Sequence, residues 1–426
     1  MCRTLPINIL WDSSHIWGLM AYRAIKTQKL PCRLIKAKDI GHLLASPETK
    51  STYPMLLIVP GGNARLKANA LGPKGLESIR SFVACGGIYL GLCGGAGLAL
   101  QHATPSLGLN LCPWERKPYL DRLQHLASGH VLAQITPNGL SPSIFHNQSI
   151  ALPVWWPGRF SHNDNPNVTI LAKAQRQGDD FWLGDLELKT IPDNFFHIWQ
   201  EEYGVNLSAD FLENTPLIIS GQYHLGQYVL SYSHLETPAS PEANIFLAHL
   251  FDQLINIKIN AHIPAWDLSQ RPRYLPNDND LSPLITTLKI VRDLFSLGVE
   301  QHLFFQRTPW LYGWRNGVAG AQLNSLHTAI FTLLDQPISL AAKNYWQTVK
   351  PEFRRDLDLF WHSATENLLT TRVAKALDQG LPPMISQQDL KNRSRAIFGS
   401  PLDGGGILAK LLDVIEEMIF LAQEGI

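Results

Sequence analysis

At 426 residues the chain is long enough for two or three domains of about 150 residues each. Apolar residues make up 45% and charged residues 17%, which excludes a largely disordered chain. The 36 Lys and Arg balance the 36 Asp and Glu, with no block of like charges, so neither a nucleic-acid arm nor an acidic tail is expected.

Ile7–Trp11 is a short apolar run that stops at Asp12-Ser13-Ser14-His15, and Ile16–Ile25 then reads as a helix. Cys32–Ile35 is a second strand candidate. Met55–Val59 is continuously apolar and ends at Pro60-Gly61-Gly62, as a strand buried on both faces does. Pro73–Ala84 places Leu76, Ile79 and Val83 at helical spacing. Gly87–Leu92 is strand-like and Gly94–Gln101 can be a helix. Strand and helix alternating in short units indicate an α/β domain with a mainly parallel sheet.

From Ser81 to Trp114 there is no Asp, Glu, Lys or Arg, and Gly87, Gly91 and Gly95 repeat at the spacing of membrane helix pairs. The density of glycine and the lack of a flanking basic cluster argue against a bilayer span. The middle region, Pro118–Ile219, is less regular, with strand candidates at Val168–Ala172, Phe195–Trp199 and Leu217–Ile219. Tyr228–Ser233 is a further strand, and Ala243–Leu254 an amphipathic helix that closes the first domain near residue 258. The expected plan is an α/β domain over 1–258, a Pro/Asn-rich linker over 259–283 and an all-helical domain over 284–426. In the last, Ser282-Pro283 reads as N-cap and first turn, followed by Leu284, Leu288, Val291 and Phe295 on one face. Further helices fit Ala321–Leu334, Leu340–Val349, Arg354–Leu377 and Ile407–Gln423, with Gly404-Gly405-Gly406 leading into the last.

The cysteines are Cys2, Cys32, Cys85, Cys93 and Cys112, an odd number with no CxxC pair. With no basic-then-apolar leader, a reduced cytoplasmic setting is expected, without disulfides, without a bound metal and without a membrane anchor.

The strongest local signal is Ile88-Tyr89-Leu90-Gly91-Leu92-Cys93-Gly94-Gly95-Ala96. A cysteine between strand and helix, with glycine two residues before and two after, is the cysteine form of a nucleophile elbow. The turn strains the nucleophile's backbone, and the helix N-terminus favours its thiolate. The Gly94 N–H supplies one oxyanion donor. A buried structural cysteine in a glycine-rich packing site is the alternative. A thiol needs a base and an orienter, and Tyr228-Val229-Leu230-Ser231-Tyr232-Ser233-His234-Leu235-Glu236 offers both. In extended chain His234 and Glu236 face one side, so Glu236 can hold the ring while His234 exchanges a proton with Cys93. Gly61 and Gly62, directly after a buried strand, let backbone N–H groups approach a ligand as the second oxyanion donor, or simply end the strand.

Asp12 and His15 follow the first strand at its carboxyl end, the edge that lines sites in open α/β sheets, and are read as pocket residues against ordinary turn and cap roles. Trp155 and Trp156 either floor a pocket or fill the core. His162, Asp164 and Asn165 look like metal ligands at first sight but read as a polar turn.

The turn, elbow and late His-x-Glu, in this order, resemble the class I glutamine amidotransferase-like superfamily, and within it the biotin-protein ligase N-terminal domain family. Gly86-Gly87-Ile88-Tyr89-Leu90-Gly91-Leu92-Cys93-Gly94-Gly95-Ala96 resembles the family's elbow. Trp156-Pro157-Gly158, Val168-Thr169-Ile170-Leu171-Ala172 and Gly226–Glu236 look like its middle turn, a strand and its last strand. The resemblance covers about residues 5–255 and implies a flavodoxin-like fold with a Cys-His-Glu triad. The family's H-P-E is His234-Leu235-Glu236 here, and Trp156-Pro157-Gly158 departs from its G-G-P-like turn. Residues 260–426 hold neither the G-R-G-R-x-x-R-like loop nor the K-W-P-N-D-like strand of a biotin ligase catalytic domain, so biotin ligation is not implied. Gly95-Ala96-Gly97 is followed by Leu100 where a dinucleotide fingerprint wants Gly or Ala, so no cofactor is expected.

The expected function is that of a cysteine-dependent amidase or amidotransferase-like hydrolase acting on a small amide or related carbonyl. The alternative is a non-catalytic ligand-binding or regulatory module. Expected partners are a small-molecule substrate or ligand, and a protein partner through the helical domain, with no nucleic acid and no membrane.

Overall fold

The structure is a computed structural model that describes residues 7–12, 15–41, 55–104, 107–119, 123–163, 165–260, 262–274, 279–315, 317–377, 385–400 and 404–423. Asp164, the Asn277-Asp278 part of the expected linker and the side chain of His15 lie outside the described residues. The chain divides into two compact units that meet between Pro264 and Ala265.

The strands of the first unit are β1 (Ile7–Leu10), β2 (Cys32–Ile35), β3 (Leu56–Val59), β4 (Ile88–Leu92), β5 (Glu115–Arg116), β6 (Ala127–Ile135), β7 (Ser149–Trp155), β8 (Phe160–Ser161), β9 (Val168–Gln177), β10 (Trp182–Leu183), β11 (Leu186–Glu187), β12 (Pro216–Tyr223) and β13 (Gly226–Ser231). Its helices are α1 (His15–Thr27), α2 (Ala64–Ala84), α3 (Gly94–Ala99), α4 (Asp193–Tyr203) and α5 (Pro241–Ile255).

Every side chain of β1, β3 and β4 is buried, as continuous apolar runs require when helices cover both faces. The strands pair in parallel in the order β2-β1-β3-β4-β13. From β13 the sheet continues antiparallel through β12, β9, β6, β10 and β11, with β7 also on β6. The fold is therefore α/β, with a parallel half that carries the elbow and an antiparallel half grown onto it. Ser81–Leu100 is the end of α2, a strand and a short helix. Among the described residues no helix is long and apolar enough to cross a membrane.

Two expectations change in this unit. Phe195–Trp199 is not a strand but the centre of α4, because Phe195, Trp199 and Tyr203 repeat every four residues and a five-residue window cannot show that period. The helix stops at Gly204, whose N–H bonds Gln200 O at 3.1 Å while Val205 N–H bonds Trp199 O at 3.1 Å. α2 begins earlier than Pro73, at Ala64, where the Asn63 side chain caps it by accepting from Arg65 N–H at 2.9 Å. Gly72 (φ 59°) then kinks it before Pro73.

The second unit contains α6 (Ser282–Glu300), α7 (Gly320–Leu334), α8 (Leu340–Leu377), α9 (Gln387–Phe398) and α10 (Gly406–Leu421). Leu284, Leu288, Val291 and Phe295 are buried as the periodicity requires, although Leu281 rather than Ser282 is the N-cap of α6. The unit is not purely helical. β14 (Phe304–Thr308) and β15 (Leu311–Trp314) form a hairpin, clamped to α7 where Asn324 Nδ2 donates to Tyr312 O at 2.8 Å and Asn324 Oδ1 accepts from Tyr312 N–H at 3.2 Å. The expected break between Val349 and Arg354 is also absent. α8 runs through Pro351, with Trp346 (0% exposed) and Phe353 (2%) packed ring to ring on either side. That burial outweighs one lost backbone hydrogen bond.

Gly226 opens β13 where a Cβ would lie 2.0 Å from Val83 O and 2.4 Å from Gly87 O, whereas one on Gly139 would meet open space. Gly226→Ala is expected to lower unfolding free energy by about 2–3 kcal/mol and Gly139→Ala to change it by less than about 0.5 kcal/mol, read from urea midpoints.

Candidate active site

β4 ends at Leu92 and α3 begins at Gly94, leaving Cys93 alone between them with φ 46° and ψ −102°. A side-chain-bearing residue held there costs about 1–3 kcal/mol, so the surroundings must impose it. Cys93 N–H donates to Ser231 O at 2.6 Å, which ties the elbow to the end of β13. Buried Tyr89 donates its hydroxyl to Gly95 O at 2.7 Å. The glycines matter by close approach. A Cβ on Gly91 would lie 2.7 Å from the Gly95 backbone, one on Gly94 1.9 Å from Gly62 O, and one on Gly95 1.9 Å from Val59 O. The turn after β3 and the elbow after β4 are thus in backbone contact. The Gly94 N–H, first in α3, has no intrahelical acceptor and is available as a donor.

His234 and Glu236 leave β13 in a turn rather than in extended chain. Thr237 closes that turn, its N–H and hydroxyl both donating to His234 O, at 3.0 and 2.7 Å. His234 N–H and the Ser233 hydroxyl both donate to Pro153 O at 2.8 Å, docking the turn on the end of β7. Buried Asn244 on α5 donates to Leu235 O at 3.0 Å and to Thr237 O at 2.9 Å, holding the backbone on both sides of Glu236.

The result is a buried pair, His234 and Glu236 each 1% exposed, with Nδ1 and Oε1 2.8 Å apart. Burial alone would push the imidazole pKa down. The Glu236 carboxylate and the neighbouring Cys93 sulfur outweigh it and raise it to about 10, so the ring is an imidazolium at neutral pH and Nδ1–H donates to Glu236. His234 Nε2 has no hydrogen-bond partner of good geometry among the described residues. The Cys93 thiol, 9% exposed, donates to Trp155 O at 3.8 Å.

Gly61 joins this group, since a Cβ there would lie 2.8 Å from His234 Cε1 and 2.9 Å from Trp17 Cβ. Gly62 sits on the elbow through its contact with Gly94. Asp12 takes the turn role, its carboxylate accepting from Ala37 N–H and its carbonyl from buried Lys67 Nζ at 3.2 Å. Trp156 is half-buried, with φ 49°, its N–H on Ala127 O at 2.7 Å and its ring tilted against Trp155 at 6.1 Å. His162 is exposed, and among the described residues no group of His, Cys, Asp or Glu could hold a metal ion.

Sequence reasoning misses Trp17, whose ring stacks on His234, the Trp155 carbonyl and Asn244. None belongs to a motif. It also misses a second chain of hydrogen bonds. Asp180 Oδ2 bonds His130 Nδ1 at 2.8 Å and His130 Nε2 bonds Ser240 Oγ at 2.8 Å. Ser240 is 3% exposed and N-caps α5, so this chain latches β6 to the end of the loop that carries His234 and Glu236.

The fold is glutamine amidotransferase-like, and residues 34–108, which contain β3, β4 and Cys93, match the family model of the biotin-protein ligase N terminal. Similar solved structures include a GMP synthase-like protein of Thermoplasma acidophilum, at 10% identity over 60% of this chain and 96% of that one, with a TM-score of 0.37. A cytoplasmic protein of Salmonella typhimurium is 10% identical over 60% of this chain and 100% of its own, with a TM-score of 0.35. A β-galactosidase of Bacillus circulans sp. alkalophilus is 13% identical over 59% of this chain, which spans only 31% of that enzyme, with a TM-score of 0.32. No curated protein matches the chain.

Because the His234 pKa is raised on folding, its contribution to stability is complete below about pH 6.5, the unfolded value, and is lost as pH rises through about 10. Unfolding free energy is therefore expected to fall from pH 7 toward 10 in the wild type, and to fall less steeply in Glu236→Gln, measured by urea titration across that range. Asn244→Ala leaves the carbonyls of Leu235 and Thr237 without their donor. It is expected to destabilise by about 1–3 kcal/mol in the same assay.

Proposed function

We propose that the first unit is a cysteine-dependent amidase or amidotransferase-like hydrolase acting on a small amide or related carbonyl. The observation that carries this reading is a cysteine held in a strained elbow beside a buried imidazolium whose Nε2 is unpartnered. Cys93 sulfur attacks the carbonyl carbon, and the carbonyl π electrons move to oxygen. The oxyanion accepts from the Gly94 N–H and from the N–H of Gly61 or Gly62. When the tetrahedral intermediate collapses, the C–N bond breaks and His234 Nε2 delivers its proton to the departing amine. The neutral ring then takes a proton from water as that water attacks the thioester, and the S–C bond breaks to return the pair to its starting state. Glu236 keeps the ring oriented and balances its charge in both halves.

One observation favours the second reading, a ligand-binding or regulatory module that recruits a protein partner through the helical unit. The thiol's hydrogen bond goes to the Trp155 carbonyl and not to His234. Catalysis requires the sulfur to leave that acceptor.

The pH dependence of Cys93 alkylation, followed by peptide mass spectrometry in wild type and His234→Ala, tests the reading. A paired thiol reacts at pH values well below the free-thiol range of about 8.5, and the substitution removes that low-pH reactivity. Identical profiles in the two proteins would sink the hydrolase and leave the binding module. With pairing established, Cys93→Ser is expected to abolish turnover of any amide that screening identifies.

A further inference from the structure

The imidazole of His234 is held on more sides than its pairing with Glu236 requires. Trp17, on the first turn of α1 and 7% exposed, lies against it with ring centroids 3.7 Å apart and an interplanar angle of 26°. The indole is itself braced by the edge of Trp155, at 5.7 Å and 61°. Gly61 closes the remaining approach, having room for hydrogen only beside both His234 Cε1 and Trp17 Cβ. With Nδ1 on Glu236, one face on the indole and Cε1 against Gly61, the ring cannot swing, and Nε2 is the nitrogen left without a partner.

We propose that Trp17 is a positioning residue that acts through His234: its indole fixes the plane of the imidazole and stabilises the cationic form of the ring by a face-on cation–π contact. Indole is the best aromatic partner for a cation, and a desolvated contact within about 6 Å is among the stronger ones. The geometry supports both halves of the role. A stack at van der Waals separation sets orientation, and burial of both rings removes the water that would screen the charge. The titratable groups that act on His234 are Glu236, on its own loop, and Cys93, at the elbow. From α1 the described contact is the indole, which carries no charge, so its influence adds to those two. The inference rests on the reading of Cys93 and His234 as a working pair.

The test uses the full chain in four forms, wild type, Trp17→Phe, Trp17→Leu and His234→Ala. Two quantities are measured on each folded protein: the pH profile of Cys93 alkylation, and, where His234 is present, the titration of its Cε1–H by NMR. Thermal unfolding checks that each form is folded. Losing the indole disfavours the imidazolium, so His234 is expected to deprotonate at lower pH. The half-rise of Cys93 alkylation is then expected to move up by about one pH unit, roughly tenfold in rate on the rising limb, in Trp17→Leu and by less in Trp17→Phe. If both variants keep the wild-type alkylation profile and the wild-type His234 titration, the inference is overturned. If Trp17→Leu does not fold, Trp17→Phe decides alone, a shift supporting the role and an unmoved titration removing it. Alkylation that is the same in wild type and His234→Ala defeats the catalytic reading instead, and the NMR titration still judges the stack, because it reads the ring without the thiol.

Discussion

Three stretches of backbone touch where β3, β4 and α3 converge, and the candidate site depends on that contact. Val59 O and Gly62 O lie where Cβ atoms of Gly95 and Gly94 would be, and Gly91 meets the backbone of Gly95 in the same way. No residue but glycine tolerates approaches this close. The contact fixes how far α3 can tilt and therefore where its first N–H points. It also fixes the left-handed backbone of Cys93, which the Ser231 carbonyl holds from the other side. Strain of this kind persists only where neighbours over-determine it, and here a parallel strand, a turn and a helix do so together.

Around this rigid centre the molecule buries a charged pair. Two ionised groups at 1% exposure are expensive to desolvate, and a buried pair survives only with further hydrogen bonds and good geometry. The turn at 234–237 supplies these, through Thr237, Pro153 O and Asn244. The His130–Asp180–Ser240 chain is an instructive contrast. It has the same sequence of acid, imidazole and acceptor, but its histidine and aspartate side chains are 28% and 52% exposed and its serine caps a helix. Chemistry at His234 comes from being closed off beside a strained thiol, and the same connectivity in a wetter setting serves as a fastening.

What is readable in the residues follows the range of the interaction. The elbow, the strand ended by Pro60-Gly61-Gly62 and the His234-Leu235-Glu236 segment are local patterns, and their positions in the parallel half of the sheet follow from strand and helix alternation. The antiparallel half is only partly legible. β9 and β12 read as strands, but β6 and β7, which carry Trp155 to the elbow, mix buried and half-exposed positions and show no clear period. Phe195–Trp199 misleads because a helix and a strand look alike over five residues. The hairpin at Phe304–Trp314 depends on Asn324, a long-range clamp with no signature in the hairpin's own sequence. Trp17 illustrates the limit most clearly. In α1 it is one of several apolar residues on a buried face, and only the arrival of the loop after β13 gives it a partner.

The order of strands in the sheet has a consequence in time. β13 lies between β4 and β12, so the parallel half stays open along β4 until one of the last strands of the unit arrives. His234 follows Cys93 by about 140 residues. At roughly 5–20 residues per second of synthesis, the thiol emerges from the ribosome about ten to thirty seconds before the segment that becomes its partner. A nascent chain therefore carries the cysteine before anything near it can charge or shield it, and the closing of one central strand completes the sheet, locks the elbow and delivers the imidazole in a single step.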